Sequence, residues 1–199
     1  KLVAEIATDP FFFFYHINAY QADDNTLIVD LSAYNDAHLI DQLYINALLH
    51  QDYPQVGEFR RYILPLNGGR ATYEVLSDES IELPRINYKP YNGQNYQFAY
   101  GASVQKGTSD FLNQVIKVDV KNRVTTIWYE EGCYPSEPVF VPAPNAQDED
   151  EGVLLVVVLD SQAGNSFLLV LDAKTLSELG RAIVPQHIPF GFHGSFFDI

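Results

Sequence analysis

The chain has 199 residues, 47% of them hydrophobic, enough for one sizeable core, and this excludes an intrinsically disordered protein. A formal net charge of −14, with 12 Lys and Arg against 26 Asp and Glu, excludes nucleic acid as a partner and disfavours an electrostatic hold on anionic lipid. The single cysteine, Cys133, excludes an internal disulfide framework and a cysteine zinc cluster and suits a reducing, cytoplasmic setting, as does the lack of any Asn-X-Ser/Thr acceptor.

In chain order, Pro10 to Tyr20 (PFFFFYHINAY) is a continuous aromatic and aliphatic run of high β propensity and predicts a strand buried on both faces. Asp23-Asp24-Asn25 is a turn, and Thr26 to Tyr34 alternates as its hairpin partner. From Asp36 to His50 the apolar residues Leu39, Ile40, Leu43, Ala47 and Leu48 recur at helical spacing and predict one helix. Phe59 to Leu66 and Ala71 to Leu76 form a second hairpin around Asn67-Gly68-Gly69, whose Asn-Gly pair supplies the positive φ angles of a tight turn.

Ile81 to Gln94, rich in Pro, Asn and Gly, predicts irregular structure. Tyr96 to Ser103, Asp110 to Val120 and Val124 to Glu130 predict three strands. Glu131 to Gly152 is again irregular, with the acidic run Asp148-Glu149-Asp150-Glu151 read as a solvated loop; the run lacks the glycine and glutamate positions of an EF-hand. Three further strands follow at Val153 to Asp160, Ser166 to Asp172 and Ser177 to Val184. Many short strands joined by turns predict an all-β protein of meander sheets, either a sandwich or part of a propeller. The sequence begins at Lys1 and contains no Met, which marks it as a piece of something longer. No signal-peptide pattern is present, and the longest apolar run, Val153 to Leu159, is too short to span a bilayer.

Among the five histidines, His38, His50 and His187 read as solvated surface positions. His16 and His193 differ, since each is embedded in aromatic sequence where an imidazole needs a partner, and His193 is flanked by Gly191 and Gly194, which leave backbone room to aim it. A metal-ligating imidazole needs its other ring nitrogen fixed, commonly by a carboxylate. Glu82 and Glu137 lie in mainly apolar, proline-stiffened segments where an unpaired charge is costly. Each is therefore either a partner of histidine or one half of a salt bridge to an arginine such as Arg85 or Arg181. Other chemistry is excluded: Ser195 lacks the G-x-S-x-G elbow, Cys133 has no nearby cation to favour a thiolate, and no glycine loop is built to cradle phosphate.

The stretches FFFFYHINAY, IELPRINYKPYNGQNYQFAYG, YPSEPVFVPAPNAQDEDEGVLLVVVLD and LLVLDAKTLSELGRAIVPQHIPFGFHGSF, in this order, closely resemble the C-terminal part of the carotenoid cleavage oxygenase family, nearest its animal branch of β-carotene oxygenases and retinoid isomerohydrolases. The resemblance implies that residues 1–199 are the C-terminal portion of a single seven-bladed β-propeller domain, here with one short helix. It implies a non-haem Fe(II) on the propeller axis held by four histidines, with three glutamates behind them. His16 matches the third ligand and His193 the fourth; Glu82 and Glu137 match two of the glutamates, orienting His16 and His193 respectively.

The implied reaction is oxidative cleavage by dioxygen of a conjugated double bond in a carotenoid or apocarotenoid. Two rivals share the fold, a non-catalytic carotenoid-binding protein and a retinyl-ester isomerohydrolase. The first two histidines and the third glutamate are not in this sequence, so the missing N-terminal part of the same protein is an implied partner. The family reading leaves open a peripheral membrane contact and a cytoplasmic or mitochondrial site.

Overall fold

The computed structural model describes residues 1–50, 56–108 and 110–197. Strands follow one another as three antiparallel meanders. The first sheet is β1 (Phe12–Asp23), β2 (Thr26–Tyr34), β3 (Glu58–Pro65) and β4 (Thr72–Ser80), with the short helices α1 (Leu39–Gln42) and α2 (Ile45–Leu49) between β2 and β3. The second is β5 (Glu82–Arg85), β6 (Phe98–Ser103), β7 (Gln114–Asp119) and β8 (Val124–Tyr129), with α3 (Tyr88–Tyr91) after β5. The third holds β9 (Cys133–Pro135), β10 (Val139–Pro142), β11 (Gly152–Asp160), β12 (Asn165–Asp172) and β13 (Glu178–Val184), with β9 and β10 both laid along β11.

A sandwich has two sheets and one core between them, whereas here three sheets stand in series with a core in each gap. Ile17, Phe59, Leu76, Ile81, Tyr96 and Val118 join the first sheet to the second. Tyr100, Val115, Trp128, Leu154, Phe167 and Leu171 join the second to the third. These are three consecutive blades of a propeller.

The hairpin at Asn67-Gly68-Gly69 forms, but its positive φ angles fall on the glycine pair, Gly68 at 110° and Gly69 at 117°, and not on Asn67. The single helix expected over Asp36 to His50 does not form. Tyr44 takes an extended conformation and divides the segment into α1 and α2, and with α3 there are three short helices among the described residues. The apolar stripe has little to pack on: Leu39 is buried, but Ile40 and Leu43 are exposed. β1 is not buried on both faces either. It is the edge strand of its sheet, Phe14 and His16 are exposed, and its aromatics stack on one another and on Tyr62 and Tyr34. The two segments expected to be irregular carry short first strands, β5 and then β9 with β10, which their prolines interrupt.

Two carboxylates of the acidic run, Glu149 and Asp150, are not solvated but latch the second blade to the third, while Asp148 is exposed and pairs within the third blade. Asp150 is buried and accepts from the Lys117 ammonium, which also reaches the Lys174 carbonyl at 2.9 Å and stands 4.1 Å over the Phe98 ring. Glu149 accepts from the backbone N–H of Gln97 at 2.9 Å and of Phe98 at 2.8 Å, and Asp148 pairs with Lys174 at 2.7 Å. Carboxylates placed where β6 begins satisfy amides that no strand partner reaches.

The first strand of every blade is bulged. β1 slips register between Phe13 and Tyr15 and again between His16 and Asn18, so His16 sits between two bulges. β5 carries one residue more than β6 between the pairs Glu82–Ala102 and Arg85–Tyr100. Between the pairs Pro135–Val158 and Val139–Leu155, the chain linking β9 to β10 carries one residue more than β11. Bulges re-aim side chains, and the side chains at these irregular points are His16, Glu82, Arg85 and Glu137. In β5 the re-aiming needs Leu83 at φ 48°, a left-handed conformation that a branched residue rarely adopts. It also needs Gly101 opposite, where a Cβ would lie 2.5 Å from Ile81 Cγ1 and 2.9 Å from the Glu82 carbonyl oxygen.

Candidate metal centre

Glu137 lies in the break between β9 and β10 and is buried, with its side chain 4% exposed. Its Oε1 stands 3.0 Å from His193 Nδ1, and its Oε2 accepts from Arg85 Nη2 at 2.8 Å and from the Gly194 N–H at 2.8 Å. With a carboxylate as acceptor, Nδ1 carries the ring proton and Nε2 keeps its lone pair. The imidazole is 58% exposed, so Nε2 is open to a ligand. Both sequence readings of Glu137 therefore hold at once, since one carboxylate orients a histidine and pairs with Arg85. Arg181 is not involved; it pairs with Glu130 and Glu178, each at 2.6 Å.

Glu82 is buried at the start of β5. Its Oε1 accepts from the Tyr34 hydroxyl, from Ser32 Oγ at 3.1 Å and from the Gly57 N–H at 2.8 Å. Burial pushes its carboxyl up, and these three donors act against that. Gly57 must be glycine, because a Cβ there would stand 2.0 Å from Ser32 Oγ and 2.8 Å from Glu82 Oε1. Among the described residues Glu82 makes no arginine pair and no hydrogen bond to His16; the His16 ring instead meets Phe13 edge-on, with centroids 4.7 Å apart.

Tyr15, the neighbour of His16 in β1, meets the His193 ring edge-on at 5.7 Å, so the tail's imidazole stands beside the strand that carries His16. Burial, with the Glu82 and Glu137 carboxylates nearby, pushes the Tyr15 phenol up to about 12. The three other histidines are exposed, as their sequence context predicts. Burial and the carboxylates of Glu130 and Asp160 push the Cys133 thiol up to about 12, so it stays protonated.

The tail carrying His193 has neither strand nor helix. It runs back from β13 across the third blade, with the Ile188 N–H donating to Ser166 Oγ at 2.9 Å and Phe190 packed on Phe111 at 4.6 Å and Tyr134 at 5.7 Å. Gly191 and Gly194 do not have positive φ, and the nearest neighbours of an added Cβ would be 3.9 Å and 3.4 Å away. The histidine is thus aimed by hydrogen bonds on either side of it rather than by the freedom of its glycines. The tail also forms a shared wall, Phe190 to Phe192 with Leu83 and Phe111, between two cavities. One of about 290 Å³ holds Glu137 and His193, and one of about 320 Å³ is lined chiefly by Phe14, Tyr15, Tyr34, Leu39 and Leu43, with Glu82 in its wall.

An imidazole with one nitrogen fixed by a buried carboxylate and the other free has the donor arrangement of a metal ligand. Among the described residues no three His, Cys, Asp or Glu side chains converge as a metal-holding group. No helix of the described residues is long and apolar enough to cross a membrane.

The sequence suggested Glu82, Glu137, His16 and His193, but not Tyr15, Tyr34, Ser32 or Gly57, all of which surround them. The prolines Pro84 and Pro138 mark where the ladder breaks beside the two carboxylates, but no sequence signal pointed to those four surrounding residues.

Comparison with known proteins agrees with this fold. The sequence model of the retinal pigment epithelial membrane protein family matches residues 1–198. A mitochondrial carotenoid-cleaving dioxygenase of Mustela putorius furo is 38% identical, over 96% of this chain and 42% of its own length. A carotenoid isomerooxygenase of Galleria mellonella is 41% identical, over 98% of this chain and 41% of its own. The solved cobalt-substituted apocarotenoid oxygenase of Synechocystis, 24% identical, superposes with a TM-score of 0.85 over 98% of this chain and 41% of that one, which speaks to the fold. The chain thus spans about two fifths of the length of the curated relatives it matches. With its three propeller blades and a family model that matches almost its whole length, the chain belongs to the retinal pigment epithelial membrane protein family, that of the carotenoid oxygenases.

Proposed function

We propose that the intact protein containing this chain cleaves a conjugated carbon–carbon double bond of a carotenoid or apocarotenoid with dioxygen at an Fe(II) centre of four histidines, two of them His16 and His193. The observation that carries this reading is the 3.0 Å contact of His193 Nδ1 with buried Glu137, which leaves Nε2 free beside the strand of His16. The names of the relatives, carotenoid-cleaving dioxygenase and carotenoid isomerooxygenase, supply the substrate class.

Iron bound there would supply the dioxygen chemistry. An all-imidazole shell leaves the site positive, and Glu82 and Glu137 offset that charge without occupying a coordination position. The 320 Å³ cavity is walled by Phe14, Tyr15, Tyr34 and Phe192, an apolar surface that excludes water from a polyene and presents aromatic faces to positive charge developing along it.

The test is the intact protein supplied with a carotenoid. About one iron per chain and two carbonyl products support the proposal. Bound but uncleaved pigment without iron would establish a carrier instead, and isomerised retinol from retinyl ester, without carotenoid cleavage, an isomerohydrolase. Glu137→Gln keeps the side chain's shape but weakens its hold on the His193 N–H. Iron affinity or turnover is expected to fall about 10- to 100-fold, measured by metal competition and steady-state kinetics.

A further inference from the structure

We propose that Arg85 is a positioning residue whose guanidinium fastens the C-terminal tail and so sets where the His193 imidazole stands. Its consequence for turnover rests on the reading of His193 as an iron ligand; the clamp itself does not.

Three separate segments meet at this guanidinium. Arg85 Nη2 donates both to Glu137 Oε2, in the break between β9 and β10, and to the Gly194 carbonyl in the tail. Gly194 returns its N–H to the same Oε2 at 2.8 Å, while Oε1 holds the His193 ring. The residue after the histidine is therefore gripped at its amide by Glu137 and at its carbonyl by Arg85. A tail without secondary structure has few other means of fixing its backbone. Its previous hydrogen-bonded anchor is at Ile188, and between the two points it relies on the packing of Phe190.

The strand that delivers Arg85 is shaped at a cost. The bulge of β5 holds Leu83 at φ 48° directly before Pro84, a conformation that persists only where the surroundings impose it. Among the described residues Arg85 Nε, buried, has no hydrogen-bond partner, so the side chain forgoes one bond there in the pose that reaches Glu137 and Gly194. A planar guanidinium can place the two hydrogens of one nitrogen on two acceptors in fixed directions, which a lysine ammonium on a flexible stem cannot hold as well.

The experiment is backbone hydrogen exchange in the intact, metal-free protein for wild type, Arg85→Ala and Arg85→Lys, following peptides over residues 189–196 and, as reference, over β6 and β7. In Arg85→Ala the tail is expected to exchange about tenfold faster or more, with β6 and β7 unchanged and with partial recovery in Arg85→Lys. In the iron-loaded protein the loss is expected mainly in kcat, with KM little changed. Unchanged tail exchange would overturn the proposal, as would equal loosening of the tail and of β6 and β7, which would make Arg85 a general support of the fold. A tail that loosens without loss of iron or kcat would leave the clamp standing and overturn the assignment of His193 as a ligand.

Discussion

Replacing His193 by Ala in the intact protein is expected to remove iron and carotenoid turnover while leaving the fold in place. The ring is 58% exposed, and its aromatic neighbours among the described residues are Tyr15, met edge-on, and, at 6.2 Å, Phe192, so little core is lost. Glu137 keeps Arg85 and the Gly194 N–H as partners and is not left a bare buried charge. The expected change in unfolding free energy is about 1 kcal/mol, the scale of one lost hydrogen bond whose remaining partner stays satisfied. Turnover, by contrast, is expected to fall by more than about 100-fold, beyond the figure for outer partners alone, because a metal-binding nitrogen itself is gone. Circular dichroism and denaturant titration follow the first quantity; metal content and product formation follow the second.

The largest expected loss of stability comes from Asp30→Ala. Asp30 is fully buried and accepts from Arg61 Nε at 2.9 Å, from Arg61 Nη2 at 2.8 Å and from the Tyr96 hydroxyl. It joins β2 and β3 of the first blade to the residue that leads into β6 of the second, and in register it faces Asn18 of β1. Removing it leaves a guanidinium only 14% exposed and a buried phenol without their acceptor. Breaking such a pair costs about 3 to 5 kcal/mol, far more than the pair's net worth, because the survivor remains desolvated. Denaturant unfolding of the intact protein measures it, with Asp148→Ala as the control: Asp148 pairs with Lys174 at the surface and its loss should leave the midpoint unchanged.

The strand hairpins were legible in the sequence because alternation and turn chemistry agree there: Thr26 to Tyr34 is β2 to the residue, and the chain turns at Asn67-Gly68-Gly69, with the positive φ angles on its two glycines. What misled was helical spacing without a surface to bury against, at Ile40 and Leu43, and acidity taken for solvation at Glu149 and Asp150. Charge in a sequence does not reveal that Lys117 and two backbone amides lie across a blade boundary to receive it. Of the candidate site, His193 and Glu137 were legible as an imidazole and a carboxylate each needing a partner, and they are partners of each other. Why they meet was not legible. That depends on bulges in β5 and between β9 and β10, and on Arg85, whose reach across 109 residues to Gly194 no local pattern encodes. Gly191 and Gly194 drew attention for a freedom that their backbone does not use.

The most direct test of the central claim is metal analysis of the intact protein combined with X-ray absorption at the metal edge, for wild type and for His16→Ala and His193→Ala. The account predicts about one iron per chain, surrounded by imidazole nitrogens and lost in either variant. Iron retained at full occupancy in either variant, or a protein that binds carotenoid with no metal at all, would contradict it.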